Sequence, residues 1–545
     1  MARQRGPRGA ANPCAPDRSA ALPGQQGAKM AYLSTGSEWT FELINRYDRE
    51  IARIAGEFGL DTYPNQIEII TAEQMLDAYA SAGLPVGYSH WSYGKHFLAS
   101  ERSYQRGHMG LAYEIVINSN PCIAYLMEEN TMPMQALTIA HACYGHNSFF
   151  KGNYLFRTWT NADAIVDYLL FAKNYVAECE QRYGEREVEL LLDSCHALQN
   201  YGVDRYKRPK KLSITEEKAR QADRENYLQM QVNDLWRTLP KHRPHALASD
   251  DDSGEPDITF PPEPQENLLY FIEKNAPKLA PWQREIVRIV RKIAQYFYPQ
   301  RQTKVMNEGW ATFWHYTIIN QLYEEKLVND AFMMELLQAH TNVIYQPPYH
   351  SPYYSGMNPY TVGFLMFQDL RRMCEHPTEE DYRWAPEIAG TDWRTTLDFA
   401  MRNFKDESFL LQFLSPRVIR ELKLFSVLDD DREGKLRVTA IHNDEGYRAI
   451  RQLMAAQYDL SSMEPNIQVT NVDVGGDRSL TLRHLQNDRR PLAHNFDEVI
   501  RHVTRLWGFT VRLEVAYEDG RTELKYECKP ERKHRRPHGG LSLAA

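Results

Sequence analysis

From Trp39 to about Pro416 the apolar residues recur at intervals of three and four, and beyond Pro416 they recur at intervals of two. The first spacing lines one face of a helix and the second one face of a strand. The chain is therefore predicted to be mainly α, a large helical domain with a small C-terminal α+β domain. In the first helical segment Leu43, Ile44, Tyr47, Ile51, Ile54, Ala55 and Phe58 share a face, and Gly59 follows as a stop. Similar segments span 71–82, 132–144, 161–182, 185–200, 214–238, 281–298, 308–325 and 330–342. The 281–298 segment is the cleanest: Pro281 opens it, Trp282, Ile286, Ile289, Val290, Ile293 and Phe297 form the stripe, and Pro299 closes it. Ser213 with Glu216 reads as a capping box for 214–238.

The helical domain is placed at 37–416, with a proline-rich, acidic internal linker or loop at 240–265. Candidate site residues lie on both sides of that loop, so it interrupts one domain. The C-terminal domain is placed at 417–528. Its strands are LKLFSVL, LRVTAI, IQVTNVDV, LTLRHL and TVRLEVAY, with turns at 430–434 and 475–477 and helices at 444–458 and 496–507. Its apolar set (Leu424, Val427, Val438, Val469, Leu480, Leu506, Val511) predicts that it folds as a unit. Residues 1–36, rich in Gly, Pro, Ala and Arg, read as a disordered tail, and 529–545 as a basic one. Met30 closes the first tail and is favoured over Met1 as the start of the chain.

Composition narrows the function. Apolar residues at 43% and charged residues at 25% are globular values. A formal charge of −8 gives no long-range attraction to nucleic acid. Seven scattered cysteines, never in a CxxC pair, suit a reducing cytoplasm rather than a disulfide framework. No stretch approaches the ~18 consecutive apolar residues of a membrane span, and no apolar segment follows the N-terminal arginines as in a signal peptide. P-loop, GxGxxG, GxSxG and kinase signatures are absent.

Two segments place imidazole or carboxylate inside apolar, aromatic helical sequence: AHACYGHNSFF, with His141 and His146, and MNEGWATFWHY, with Glu308 and His315. An ionised Glu308 there would be costly unless paired or metal-bound. His141 and His146 are five apart, about 140° around an ideal helix, so they converge only if the helix breaks. Gly145 is expected to supply the break as a left-handed cap. Glu308 and His315 share a face about 10.5 Å apart along the axis and suit two positions in one pocket. A divalent metal site of His141, His146 and Glu308 is expected, with zinc favoured and iron or manganese open. His315, His340, His196 (with Asp193 at i−3), Glu128 and Glu129 are supporting or alternative residues. The alternative is a set of core histidines and a buried Glu satisfied by hydrogen bonds. A basic run of Arg205, Lys207, Arg208, Lys210 and Lys211 reads as a solvated loop. No catalytic residue and no organic cofactor is assigned.

The motifs WTFELINRYDREI, LDTYPNQIEIIT, YEIVINSNPCIAYLMEEN, AHACYGHNSFFKGNYLF, MNEGWATFWHY, NPYTVGFLMFQDL, FKDESFLLQFLSP, IHNDEGYRAIR and GDRSLTLRH resemble the SpoVR family (stage V sporulation protein R-like) from about Glu38 to beyond Leu506. The resemblance implies a link to spore cortex formation or to stationary-phase and stress physiology. It also implies association with a PrkA-like serine protein kinase and a von Willebrand-factor-A-like protein, but it supplies no reaction. The two site segments also resemble gluzincin-like metallopeptidases. There His141 and His146 match the two histidine ligands and Glu308 the third, while Ala142 stands where those enzymes place the general-base Glu. That departure predicts weak or absent general peptidase activity. A metal-dependent hydrolase is the leading expectation, and a non-catalytic scaffold or regulatory subunit bound to the kinase-like partner is the alternative.

Overall fold

The computed structural model describes residues 32–81, 87–105, 114–205, 260–428, 437–486 and 490–530. Thr40 accepts a hydrogen bond from the Leu43 amide and starts α1 (Phe41–Glu57), whose Ile44, Tyr47, Ile51 and Ile54 are buried as the spacing predicts. A mixed three-stranded sheet follows, of β1 (Asn65–Ile70), β2 (Glu114–Ile117) and β3 (Cys122–Met127), in the order β1-β3-β2. β3 pairs parallel to β1 and antiparallel to β2. This sheet is not anticipated by the helical reading, because each run is at most six residues long and is surrounded by stronger helical signals.

Thr131 caps α2 (Met132–Ile139), which runs without a break into a π-helical turn, Ala140–His146, and on into α3 (Asn147–Gly152). α4 (Ile165–Tyr183), α5 (Glu185–His196), α6 (Leu268–Asn275) and α7 (Pro281–Gln302) follow. Pro299 does not close α7, which continues to Gln302. A proline so near the end removes one carbonyl's partner and leaves the last turn intact. Beyond it lie α8 (Lys304–Glu324), α9 (Asp330–Val343) and α10 (Pro359–Glu375). The 214–238 segment with its capping box, most of the 240–265 loop, Lys207 to Lys211, the 430–434 turn, 1–31 and 531–545 lie outside the described residues. Residues 32–36, expected to belong to the disordered tail, are described, and Leu33 is buried in the core with its amide donating to the Leu327 carbonyl at 2.8 Å. Arg205 is described, and it pairs with Glu464 at 3.0 Å.

After Pro416 come a two-stranded sheet, β4 (Ser426–Leu428) with β5 (Arg437–Ala440), then α11 (Asp444–Ala456). A four-stranded sheet follows: β6 (Ile467–Val472), β7 (Leu480–Gln486), β8 (Val511–Tyr517) and β9 (Thr522–Cys528), with α12 (Phe496–Trp507) between β7 and β8. The expected apolar set of 417–528 does not form one core. Tyr447, Ile450 and Met454 of α11 join the core of α1, α2, α8 and α10, and Leu424 packs against it. Val438 is exposed. Val469, Leu480, Leu506 and Val511 instead share a core with Val188 and Leu192 of α5, Leu268 and Ile272 of α6, and Ile286 and Val290 of α7. Periodicity changes at Pro416, whereas the core changes between α11 and β6, because each amphipathic face buries against whatever the chain brings to it.

Candidate metal centre

The π-turn brings His141 and His146 together. Widening the helix to i→i+5 bonding places residues five apart on nearly one side, and the two imidazole centroids lie 4.6 Å apart. The expected left-handed cap at Gly145 is not formed, since Gly145 has no positive φ. Its role is close approach. A Cβ there would lie 2.6 Å from Ala311 Cα, so α8 rests directly on the turn. A second such approach, Gly309 against Gly363, seats α8 on α10.

α8 is also fixed at its start. The buried Asp406 carboxylate accepts the Val305 and Met306 amides at 2.9 Å each, a cap supplied from about a hundred residues away. Burial outweighs those bonds and pushes the Asp406 carboxyl up to about 7. Trp310 Nε1 donates to Ser148 Oγ at 2.9 Å, and Asn147 ties α3 to Tyr63, just ahead of β1, and to Asn65, the first residue of β1.

These contacts bring Glu308 Oε2 to 3.5 Å from His146 Nε2 and 3.7 Å from His141 Nε2. The third expected ligand therefore does converge with the histidine pair. A carboxylate absent from the sequence-based set joins them: Glu114 Oε1 lies 3.7 Å from His141 Nε2, and Glu114, His141 and His146 offer ligand atoms all within 4.8 Å of one another. Glu114 faces the site because it pairs with Leu126 across β2 and β3, and paired residues share a sheet face. The signal for it is legible as a carboxylate on the Val116 face of the apolar run EIVI, once that run is read as a strand. Glu128 and Glu129, the carboxylates expected nearby, are exposed beyond the end of β3.

The chemistry of the set suits a cation. His141 Nε2 and Glu308 Oε2 are buried and have no hydrogen-bond partner. Neighbouring ligands of a four-coordinate ion bound at ~2.0–2.2 Å stand about 3.3–3.6 Å apart, close to the separations found here. Burial lowers the His146 imidazole to about 4, so it is neutral at pH 7. Burial also acts to raise the Glu308 carboxyl, but the facing His146 and His141 rings outweigh it and hold it below the ordinary range. Neutral imidazole and ionised carboxylate are the forms that bind metals. Glu114 is raised, first by burial and then by Glu308, against the opposing pull of His141. The Glu114 and Glu308 side chains keep 15% and 19% exposure, so the carboxylates form the wall that solvent reaches.

Behind these side chains lies a second layer. His146 Nδ1 is 2.9 Å from Asn307 Oδ1, which fits a ring N–H donated to an amide oxygen. His141 Nδ1 is 2.9 Å from His315 Nδ1, and His315 Nε2 is 2.8 Å from His340 Nδ1. His315 and His340 thus stand behind His141, on the side away from Glu308. Burial lowers His340 to about 4 and holds His315 well below the ordinary imidazole range. His196 is elsewhere, sharing a 2.7 Å hydrogen bond with Tyr88 Oη and meeting the His90 ring edge-to-face. Among the described residues no helix is long and apolar enough to cross a membrane.

The "SpoVR like protein" family model matches residues 38–463, and the "SpoVR-like C-terminal domain" model matches 465–518. The chain is 64% identical over 498 residues to "Uncharacterized protein YcgB" of Escherichia coli (strain K12), covering 91% of this chain and 96% of that protein. No solved structure matches. The join between the two family models falls at the change of core between α11 and β6, and the two together span both cores: the chain belongs to the SpoVR family.

Proposed function

We propose that His141, His146 and Glu308 hold one divalent metal ion and that the protein is a metal-dependent hydrolase of a carbonyl linkage, amide or ester. The observation that carries this reading is the pair of buried, unpartnered atoms facing each other, His141 Nε2 and Glu308 Oε2, beside a second imidazole. An ion bound there would supply Lewis-acid polarisation and make an adjacent water more acidic. Glu114 occupies the role that Ala142 cannot fill. Its carboxylate would take the proton of the attacking water and return it to the leaving group. A carboxyl raised by burial suits that exchange near neutral pH. Zinc is favoured for a His/carboxylate set, with iron and manganese as the other assignments.

A second reading has its own support, the closeness of Glu114 to both histidines. With Glu114 as a fourth ligand the site would be closed, as structural sites are. The protein would then be a scaffold or regulatory subunit working with a PrkA-like kinase and a von Willebrand-factor-A-like protein. Either form would serve the spore-cortex or stress physiology that the family resemblance implies, in the cytoplasm.

Elemental analysis of protein purified without chelator tests both readings. Near-stoichiometric metal is expected in the wild type and a large loss in His141→Ala, His146→Ala and Glu308→Ala; folded wild-type protein free of metal would overturn the site. Glu114→Gln separates the readings. Retained metal with lost hydrolysis of fluorogenic amides and esters identifies a base, and lost metal identifies a ligand.

A further inference from the structure

We infer that the protein carries a second ligand site, in a cavity between the end of α5 and α7, and that it takes a neutral two-ring aromatic molecule bearing a hydroxyl or carbonyl group. The inference uses none of the residues of the proposed metal centre and stands or falls apart from it. The site begins with one face of α7. Val290, Ile293, Ala294 and Phe297 recur at helical spacing, as a core stripe does. Val290 is buried, whereas Ile293, Ala294 and Phe297 stay partly exposed, and all four line a cavity of about 290 Å³. Apolar surface of this kind is covered favourably by an apolar guest. An apolar cavity of ~150 Å³ accepts a benzene ring, so this one has room for two fused rings.

The opposite wall sets the chemistry of the guest. Tyr88 precedes the helix Trp91–Gln105, Tyr93 lies in its first turn, and His196 ends α5. The three rings meet pairwise at centroid distances of 5.9, 6.2 and 6.2 Å, with no pair more than 38° from parallel. Ring faces grouped in this way suit an aromatic guest in offset or edge-on contact. Tyr88 Oη lies 2.7 Å from His196 Nε2. Burial lowers His196 to about 4 and raises both phenols, so at pH 7 this wall offers hydrogen-bonding groups and no charge. Phenols both give and accept hydrogen bonds, which matches a hydroxyl or a carbonyl on the guest.

Among the described lining residues Arg301 is the only charged one, and Asn200 Oδ1 and Glu464 Oε1 hold its guanidinium at 2.7 Å each. An anionic guest would have to draw that guanidinium away from the buried Glu464, so a neutral guest is favoured. His196, which the sequence offers as an alternative metal residue, thus belongs to a different kind of site.

The test is calorimetry on full-length protein with 2-naphthol, beside naphthalene-2-carboxylate, which adds a charge, and 1-octanol, which replaces the rings by a flexible chain. Saturable one-to-one binding of 2-naphthol is expected, with each of the other two at least about tenfold weaker. Ala294→Phe puts a ring into the cavity and should weaken 2-naphthol by about tenfold or more, the loss expected when two methylene-sized groups are no longer buried, while the Tm is kept or raised. Tyr88→Phe keeps the ring and removes the hydroxyl. It should weaken 2-naphthol and leave naphthalene itself unchanged, an outcome that a packing role for Tyr88 does not give. Absent 2-naphthol binding, or binding indifferent to both substitutions, overturns the site. Tighter binding of the carboxylate or of octanol overturns the ligand class.

Discussion

Gly145→Ala tests whether the meeting of the π-turn with α8 builds the proposed metal site. The added Cβ would lie 2.6 Å from Ala311 Cα, 2.8 Å from its Cβ and 3.3 Å from its carbonyl oxygen. Two of those atoms are backbone and the third is a methyl group on the same residue, so no flexible side chain can swing away. Restoring ordinary contact near 3.4 Å requires α8 to retreat by about 0.8 Å, the kind of overpacking that costs about 1–3 kcal/mol. Glu308 lies three residues before Ala311 and therefore on the same flank of the helix. The retreat would carry it from 3.5 and 3.7 Å to beyond about 4 Å from the imidazoles, too far for the ~3.3–3.6 Å edge of a tetrahedral site. A fall in zinc affinity of at least about tenfold is expected from misplacement on that scale, read by calorimetry together with a lower Tm. Gly56→Ala is the control: nothing lies within 4 Å of its Cβ, so it should raise stability by about 0.5–1 kcal/mol through helix propensity and leave zinc binding unchanged. If Gly145→Ala binds zinc like the wild type and melts within a degree of it, the close approach does not set the ligand geometry.

Further outcomes follow from the buried charge and the divided core. The folded Asp406 carboxyl, raised to about 7 from 3.8, binds its proton more tightly than the unfolded chain does. Its contribution is fully present below the unfolded value and is lost as pH rises through 7, so stability should fall over that window. Asp406→Asn should flatten that slope in chemical denaturation and, with one of its two amide partners left facing an NH2 group, cost about 1–3 kcal/mol at pH 5; an unchanged slope would refute the assignment. A fragment of 417–528 should give a poorly dispersed amide NMR spectrum, because Val469, Leu480 and Leu506 lose α5, α6 and α7; a well-dispersed spectrum would show that the second core tolerates their removal.

What was legible in the sequence was local. The stripe of α1, the Pro281 start of α7 and the 496–507 helix follow from spacing and end signals a few residues apart. His141, His146 and Glu308 stand out because polar groups in apolar helices need partners, and the structure brings all three together. The manner of their meeting was not local. An ideal helix sets His141 and His146 about 140° apart, and only a π-turn pressed by α8 brings the rings within 4.6 Å of each other. Glu114 is not legible in this way, because its face depends on β2 pairing with β3, a short contact against stronger helical signals. Glu128 and Glu129, the carboxylates the sequence offers as supporting or alternative residues, lie past the end of β3 and are exposed. Pro416 marks where periodicity changes from helix to strand, but the cores divide after α11. Periodicity specifies which face of an element must be buried, and only the assembled chain specifies against what.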